Sequence, residues 1–117
     1  MQVENVIAFI TDEEPAGLGI RINFGVFAGR DATSAELEDL GKLLVPEAGE
    51  VSIVGEQRHE MAEEAEVVLH QVRIIVAPER VPADASEKQE FCERLLTLAE
   101  IWARQCFNER SAELTEL

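Results

Sequence analysis

From Ile20 the chain alternates. Ile20, Ile22, Phe24 and Val26 fall on one side of an extended chain, with Arg21, Asn23, Gly25 and Phe27 on the other. GIRINFGVF therefore predicts a period-2 strand with one strongly apolar face. An apolar, β-rich run over residues 3–10 precedes it across the turn-forming TDEEPAGLG, and the two predict a hairpin with a long acidic loop. The period then lengthens. Thr33 and Glu36 have T-x-x-E spacing, in which hydroxyl and carboxylate each satisfy an unpaired backbone N–H at a helix start. Leu37, Leu40 and Leu44 follow at i, i+3 and i+7, so a short one-sided helix is predicted, closed by Pro46.

The second half opens with Val51 and Ile53. It continues through VVLHQVRIIVAP, where Val68, Val72, Ile74 and Val76 share a face before Pro78 stops the strand. The stretch between, HEMAEEAEVVLH at 59–70, admits two readings. As a helix, Met61, Ala65, Val68, Leu69 and Val72 form a stripe. As a hairpin turning at Glu63-Glu64, one face carries Val51, Ile53, Gly55, Gln57, His59 and Met61, and Val68, His70, Val72, Ile74 and Val76 return on that face. The density of β-branched residues favours the hairpin, and the lack of Gly or Asn in the turn counts against it. After the turn-rich ERVPADAS, a long helix is predicted from Ser86 to about residue 113, with Ser86 and Gln89 as a second capping box.

The two halves resemble each other. IRINF at 20–24 matches VRIIV at 72–76, placing Arg21 and Arg73 at equivalent points, and DAT at 31–33 matches DAS at 84–86. The expected architecture is a single α+β domain over residues 1–117, built as two ββα units (ββαββα) from an internal duplication of 1–48 and 49–117. Its antiparallel sheet carries two helices packed on one face, the C-terminal helix being long. That helix has an apolar stripe of roughly 180°, wider than the ~100° needed to cover one sheet face. Phe91, Leu95, Leu98 and Trp102 lie within it, and Ile101 stands apart. A second buried surface is expected, most simply in a homodimer, with Ile101, Leu96, Phe107 and Trp102 as interface candidates.

Charge and cysteines narrow the setting. Twenty-four acidic residues against 10 basic give a net charge of −14, spread along the chain. Such a surface repels phosphate backbones and anionic membranes, so no nucleic acid and no membrane is expected, and a basic protein partner is the natural complement. No apolar run reaches the roughly 18 residues a membrane span needs, and the N-terminus lacks a basic signal-peptide start. Cys92 and Cys106 lie about 21 Å apart along one helix and cannot pair. A cytoplasmic, reducing setting is expected.

Candidate chemistry is sparse. His59-Glu60 opens like H-E-x-x-H, but position 63 is Glu, so the metalloprotease motif fails on residue identity. In the hairpin reading His59 and His70 share a face and could begin a metal site, yet two ligands without a third specify none, and no metal or cofactor is assigned. Arg21 and Arg73 are expected on the sheet face away from the helices, where two guanidiniums could hold a carboxylate or phosphate. No phosphate loop and no G-x-S-x-G nucleophile occur, and no catalytic residue is assigned. The expected function is a non-catalytic acidic binding or accessory protein, homodimeric and engaging a protein partner. The alternative is a small dimeric enzyme or small-molecule-binding domain using Arg21, Arg73, His59 and His70 in one pocket.

Overall fold

The matching strands of the two halves meet in the middle of the sheet. The computed structural model describes residues 6–12, 17–62 and 65–116; side chains are described at all of these except 12, 58, 60–62, 65–67, 69 and 108–116. Strands β1 (Ala8–Asp12) and β2 (Leu18–Ile22) form one antiparallel pair, and β3 (Val51–Ala62) and β4 (Ala65–Val76) another. The pairs join antiparallel through β2 and β4, giving a four-stranded sheet in the order β1-β2-β4-β3. The register sets Ile20 opposite Ile74, Arg21 opposite Arg73 and Ile22 opposite Val72. The arginines at equivalent points in the halves are thus direct cross-strand neighbours.

Because strand side chains alternate, one face takes the apolar set and the other the arginines. Leu18, Ile20, Ile22, Val72, Ile74 and Val76 are buried beneath the helices. Helix α2 (Ser34–Ala48) supplies Leu40, Leu44 and Ala48, and helix α3 (Ala85–Glu116) supplies Phe91, Leu95, Ala99, Trp102, Ala103 and Cys106. This is the expected α+β architecture. Among the described residues no helix is long and apolar enough to cross a membrane.

Four details differ from expectation. The first strand lies at Ala8–Asp12; residues 3–5 and the loop residues 13–16 lie outside the described residues. The second strand stops at Ile22, and Phe24–Ala28 forms a short helix, α1. Over five residues periods 2 and 3.6 are hard to tell apart. Here Phe24 and Ala28, at i and i+4, are the buried pair, while Val26 and Phe27 are exposed. Asn23 ends the strand: its backbone N–H donates to the Ile7 carbonyl, its Nδ2 donates to the Val6 carbonyl at 2.7 Å, and its Oδ1 accepts from Gln71 Nε2 at 2.6 Å.

Pro46 does not close α2. The helix runs over it to Ala48, because Leu40, Leu44 and Ala48 form one buried line, and Gly49 then ends it with φ +69°. Thr33 caps α2 as expected, its hydroxyl accepting from the Glu36 N–H and its own N–H donating to Glu36. Helix α3, in contrast, is capped by Asp84 and not by Ser86. Asp84 Oδ2 accepts from the Glu87 N–H at 3.0 Å, and its carbonyl accepts from the Lys88 N–H. A carboxylate suits the positive end of a helix dipole better than a hydroxyl.

The stretch at 59–70 is strand on both sides of the turn. Gln57 lies opposite His70, His59 opposite Val68 and Ala62 opposite Ala65; Glu63 and Glu64 lie outside the described residues. The hairpin overhangs the core, since Gln57, His59 and Val68 are all exposed. Together with the 32-residue α3, it gives a radius of gyration of 15.0 Å, against about 13 Å for a rounded chain of this length.

Candidate functional site

The arginine pair is engaged within its own sheet. Two guanidiniums directly opposite each other repel, and a carboxylate between them relieves this. Glu56 on β3 supplies it, reaching past β4 to contact Arg21 Nη1 through Oε1, with Oε2 4.0 Å from Arg73 Nη1. All three side chains are mostly buried, at 17%, 30% and 23% exposure. The cluster ties three strands together, and an anionic ligand would have to compete with Glu56.

The histidines sit on the other face. His59 and His70 are diagonal neighbours on the helix-facing side of the hairpin. His59 is exposed, whereas His70 lies under α1 with its Nδ1 2.8 Å from Asp31 Oδ1. Gly25 makes this approach feasible, since a Cβ there would stand 2.8 Å from His70 Cβ. Beside the pair lies a cavity of about 260 Å³ bordered by Phe24, Asp31, Gly55, Gln57 and His70. It exists because β3 carries no side chain at Gly55, where an added Cβ would meet nothing within 4 Å. Among the described residues no three His, Cys, Asp or Glu side chains cluster as metal ligands. The structure therefore brings Arg21 to Arg73 and places His70 at a cavity, but it does not gather these three and His59 around one concavity.

A second polar network fixes the start of α2. Arg30 grips Glu36 with two bonds, Nη1 to Oε1 and Nη2 to Oε2, each 2.8 Å. Its guanidinium also lies 5.4 Å from the centroid of the Phe24 ring. Trp102 Nε1 donates to the Glu36 carbonyl at 2.8 Å. The Arg30 bonds hold the Glu36 carboxyl down at about 2, aided by the Thr33 N–H and Cys106 and opposed by burial. This is a structural staple between α1, α2 and α3.

The wide stripe of α3 is mostly used within the chain. Trp102 is 3% exposed, packed on Phe24 with centroids 5.4 Å apart, so it belongs to the chain's own core and not to a surface open to a second copy. Phe107 is half-buried between Phe24 and Phe27, each 5.6 Å away, and Leu96 is half-buried against the core. Of the four interface candidates only Ile101 stands out, 46% exposed. Both cysteines are thiols on one helix; burial pushes the Cys92 thiol up.

Between α2 and α3 runs an open groove of about 490 Å³ lined by Glu47, Glu90, Glu93, Arg94, Thr97 and Leu98. Arg94 turns from Glu90, its i−4 neighbour, to Glu47, with Nε 3.0 Å from Oε2. Thr97 directs its hydroxyl to the Glu93 carbonyl at 2.9 Å, which leaves Leu98 as the apolar floor. Ile101, one turn beyond Leu98 and Thr97, is exposed past the end of the groove, and Glu90 and Glu93 are exposed at its margin. Sequence reasoning missed this groove because α2 and α3 are far apart in the chain. No family model, no curated protein and no solved structure matches the chain.

Proposed function

We propose that the protein is a non-catalytic, cytoplasmic accessory protein whose α2–α3 groove receives a basic amphipathic helix of another protein. The observation that supports this is the groove itself, whose Leu98 floor leads on to Ile101, exposed one turn beyond it, with Glu90 and Glu93 at the margin. Amphipathic helices dock by laying apolar residues at i, i+3 and i+4 along such a line. In a chain of net charge −14, lysines beside those anchors meet carboxylates at the margin and are steered in at low salt. Anisotropy of a labelled Leu/Lys amphipathic helical peptide tests it. Binding should weaken as salt rises, fall at least tenfold in Ile101→Glu, and fall again when Glu90 and Glu93 become Lys. Equal affinity for wild type and Ile101→Glu, or for an acidic peptide of the same apolar pattern, would defeat the proposal.

A second reading rests on the cavity over Gly55. With His70 and Asp31 on one side and the Phe24 ring on another, it suits a small molecule with one polar end. Gly55→Leu should project into this space, since a Cβ there would meet nothing within 4 Å. Unchanged ligand-induced shifts of the His70 ring resonances in that variant, in a small-molecule screen by NMR, would remove this reading.

A further inference from the structure

Strand β3 is one of the two outer strands of the sheet, and all twelve of its residues pair with β4 on the inner side without a bulge. At about 3.4 Å per residue its outer edge is about 40 Å long. Among the described residues no strand pairs with that edge. Natural sheets blunt such edges with proline, lysine or a bulge. VSIVGEQRHEMA contains no proline and no lysine, its register is unbroken, and of its charged residues Glu56, Arg58 and Glu60, the first is turned inward to Arg21 and Arg73. Ser52, Val54, Gly55, Gln57 and His59 are all exposed along it.

We propose that this edge pairs with the same edge of a second copy, antiparallel about a two-fold axis, so that two sheets become one of eight strands with the helices on one side. A two-fold interface is self-complementary, so the strand must suit its own reversed copy. Residues opposite each other in an antiparallel pair share a face, which places a residue on the axis opposite itself. Only two such arrangements leave a single residue of the twelve without an opposite number: Glu56 on the axis, or Gln57 on it. The first sets two glutamates face to face. The second sets Glu56 opposite the partner's Arg58, twice over, and Ile53 opposite the partner's Met61. Glu56 keeps its bridge to Arg21 and Arg73; opposed carboxylates count against the first arrangement, and two Gln57 amides on the axis can hydrogen-bond each other, which selects the second.

This interface uses no residue of the α2–α3 groove and does not depend on the groove's role. The two respond oppositely to salt. Two copies of net charge −14 repel, so screening should strengthen the dimer while it weakens capture of a basic peptide.

Light scattering on a sizing column should give twice 13.0 kDa for the wild type, with the dimer favoured by added salt. Gln57→Lys puts two ammonium groups on the axis and should yield monomer, with unchanged circular dichroism and a urea midpoint that, unlike that of the wild type, does not rise with protein concentration. Gln57→Cys should form a disulfide-linked dimer on mild oxidation, because opposed Cβ atoms lie about 5 Å apart. Val54→Cys, six positions from its own copy, should not. A wild type that stays at 13.0 kDa at every concentration reached overturns the proposal. So does a dimer in which Val54→Cys cross-links as readily as Gln57→Cys.

Discussion

Glu36→Gln isolates the charge in the Arg30 staple, because glutamine keeps the carbonyl oxygen that accepts the Thr33 N–H. The carboxyl is held at about 2, against 4.5 for an ordinary glutamate. Lowering a carboxyl that far corresponds to a ceiling of about 3 kcal/mol of folding stability. Arg30 is 33% exposed, and solvent screening reduces the expected loss to about 2 kcal/mol at neutral pH. The sign follows from the direction. A carboxyl lowered in the folded state stabilises the fold fully above its unfolded value of about 4.5, and that stabilisation is lost as pH falls through about 2. Glutamine does not titrate, so the gap between wild type and variant should be widest at neutral pH and close in strong acid. Urea unfolding can be followed through the red shift of Trp102, the only tryptophan and 3% exposed. Comparing two proteins at each pH cancels the titration of the other carboxylates. A gap that stays constant from neutral pH down to about 2 would refute the argument, since it would show that shape and not charge carries the contribution.

Four further outcomes follow from the packing. Gly25→Ala brings a Cβ to 2.8 Å from His70 Cβ and 3.0 Å from its carbonyl oxygen; it should lose about 1–3 kcal/mol. Gly55→Ala should be neutral or gain about 0.5 kcal/mol in a thermal melt. Asp84→Ala should cost about 1 kcal/mol in urea midpoint and Ser86→Ala much less; equal losses would return the cap of α3 to Ser86. In the folded protein Cys106 should resist alkylation, and Cys92, half-buried with its thiol pushed up, should react slowly at neutral pH. Both should react at once in urea, and a protein showing no reactive thiol in unreduced urea would contradict the thiol assignment.

Much of the fold was legible along the chain because its signals are local. The T-x-x-E box at Thr33 and Glu36 acts within one turn of helix, and the alternation of Ile20, Ile22, Val72, Ile74 and Val76 follows directly from the strand repeat. Some local signals misled. Ser86 has capping-box spacing, yet the Asp84 carboxylate takes the end of α3. FGVFA fits strand or helix, and the packing of Phe24 on Trp102 and Phe107 goes with helix. Pro46 reads as a stop, yet Ala48 is wanted in the core two residues later.

The candidate sites divide the same way. The sequence by itself determined that Arg21 and Arg73 sit at equivalent points of matching strands and that His59 and His70 share a face if the segment is a hairpin. It also determined the net charge of −14 that any charged partner must complement. Only the tertiary structure decided that Glu56 stands between the arginines, that Asp31 meets His70, and that Trp102 belongs to the core. It alone set Leu98 and Glu47 into one groove and left β3 at the outside of the sheet. The physical reason is range. Periodicity and capping act over a few residues, whereas side-chain pairing across strands and helices depends on which segments the sheet order makes neighbours.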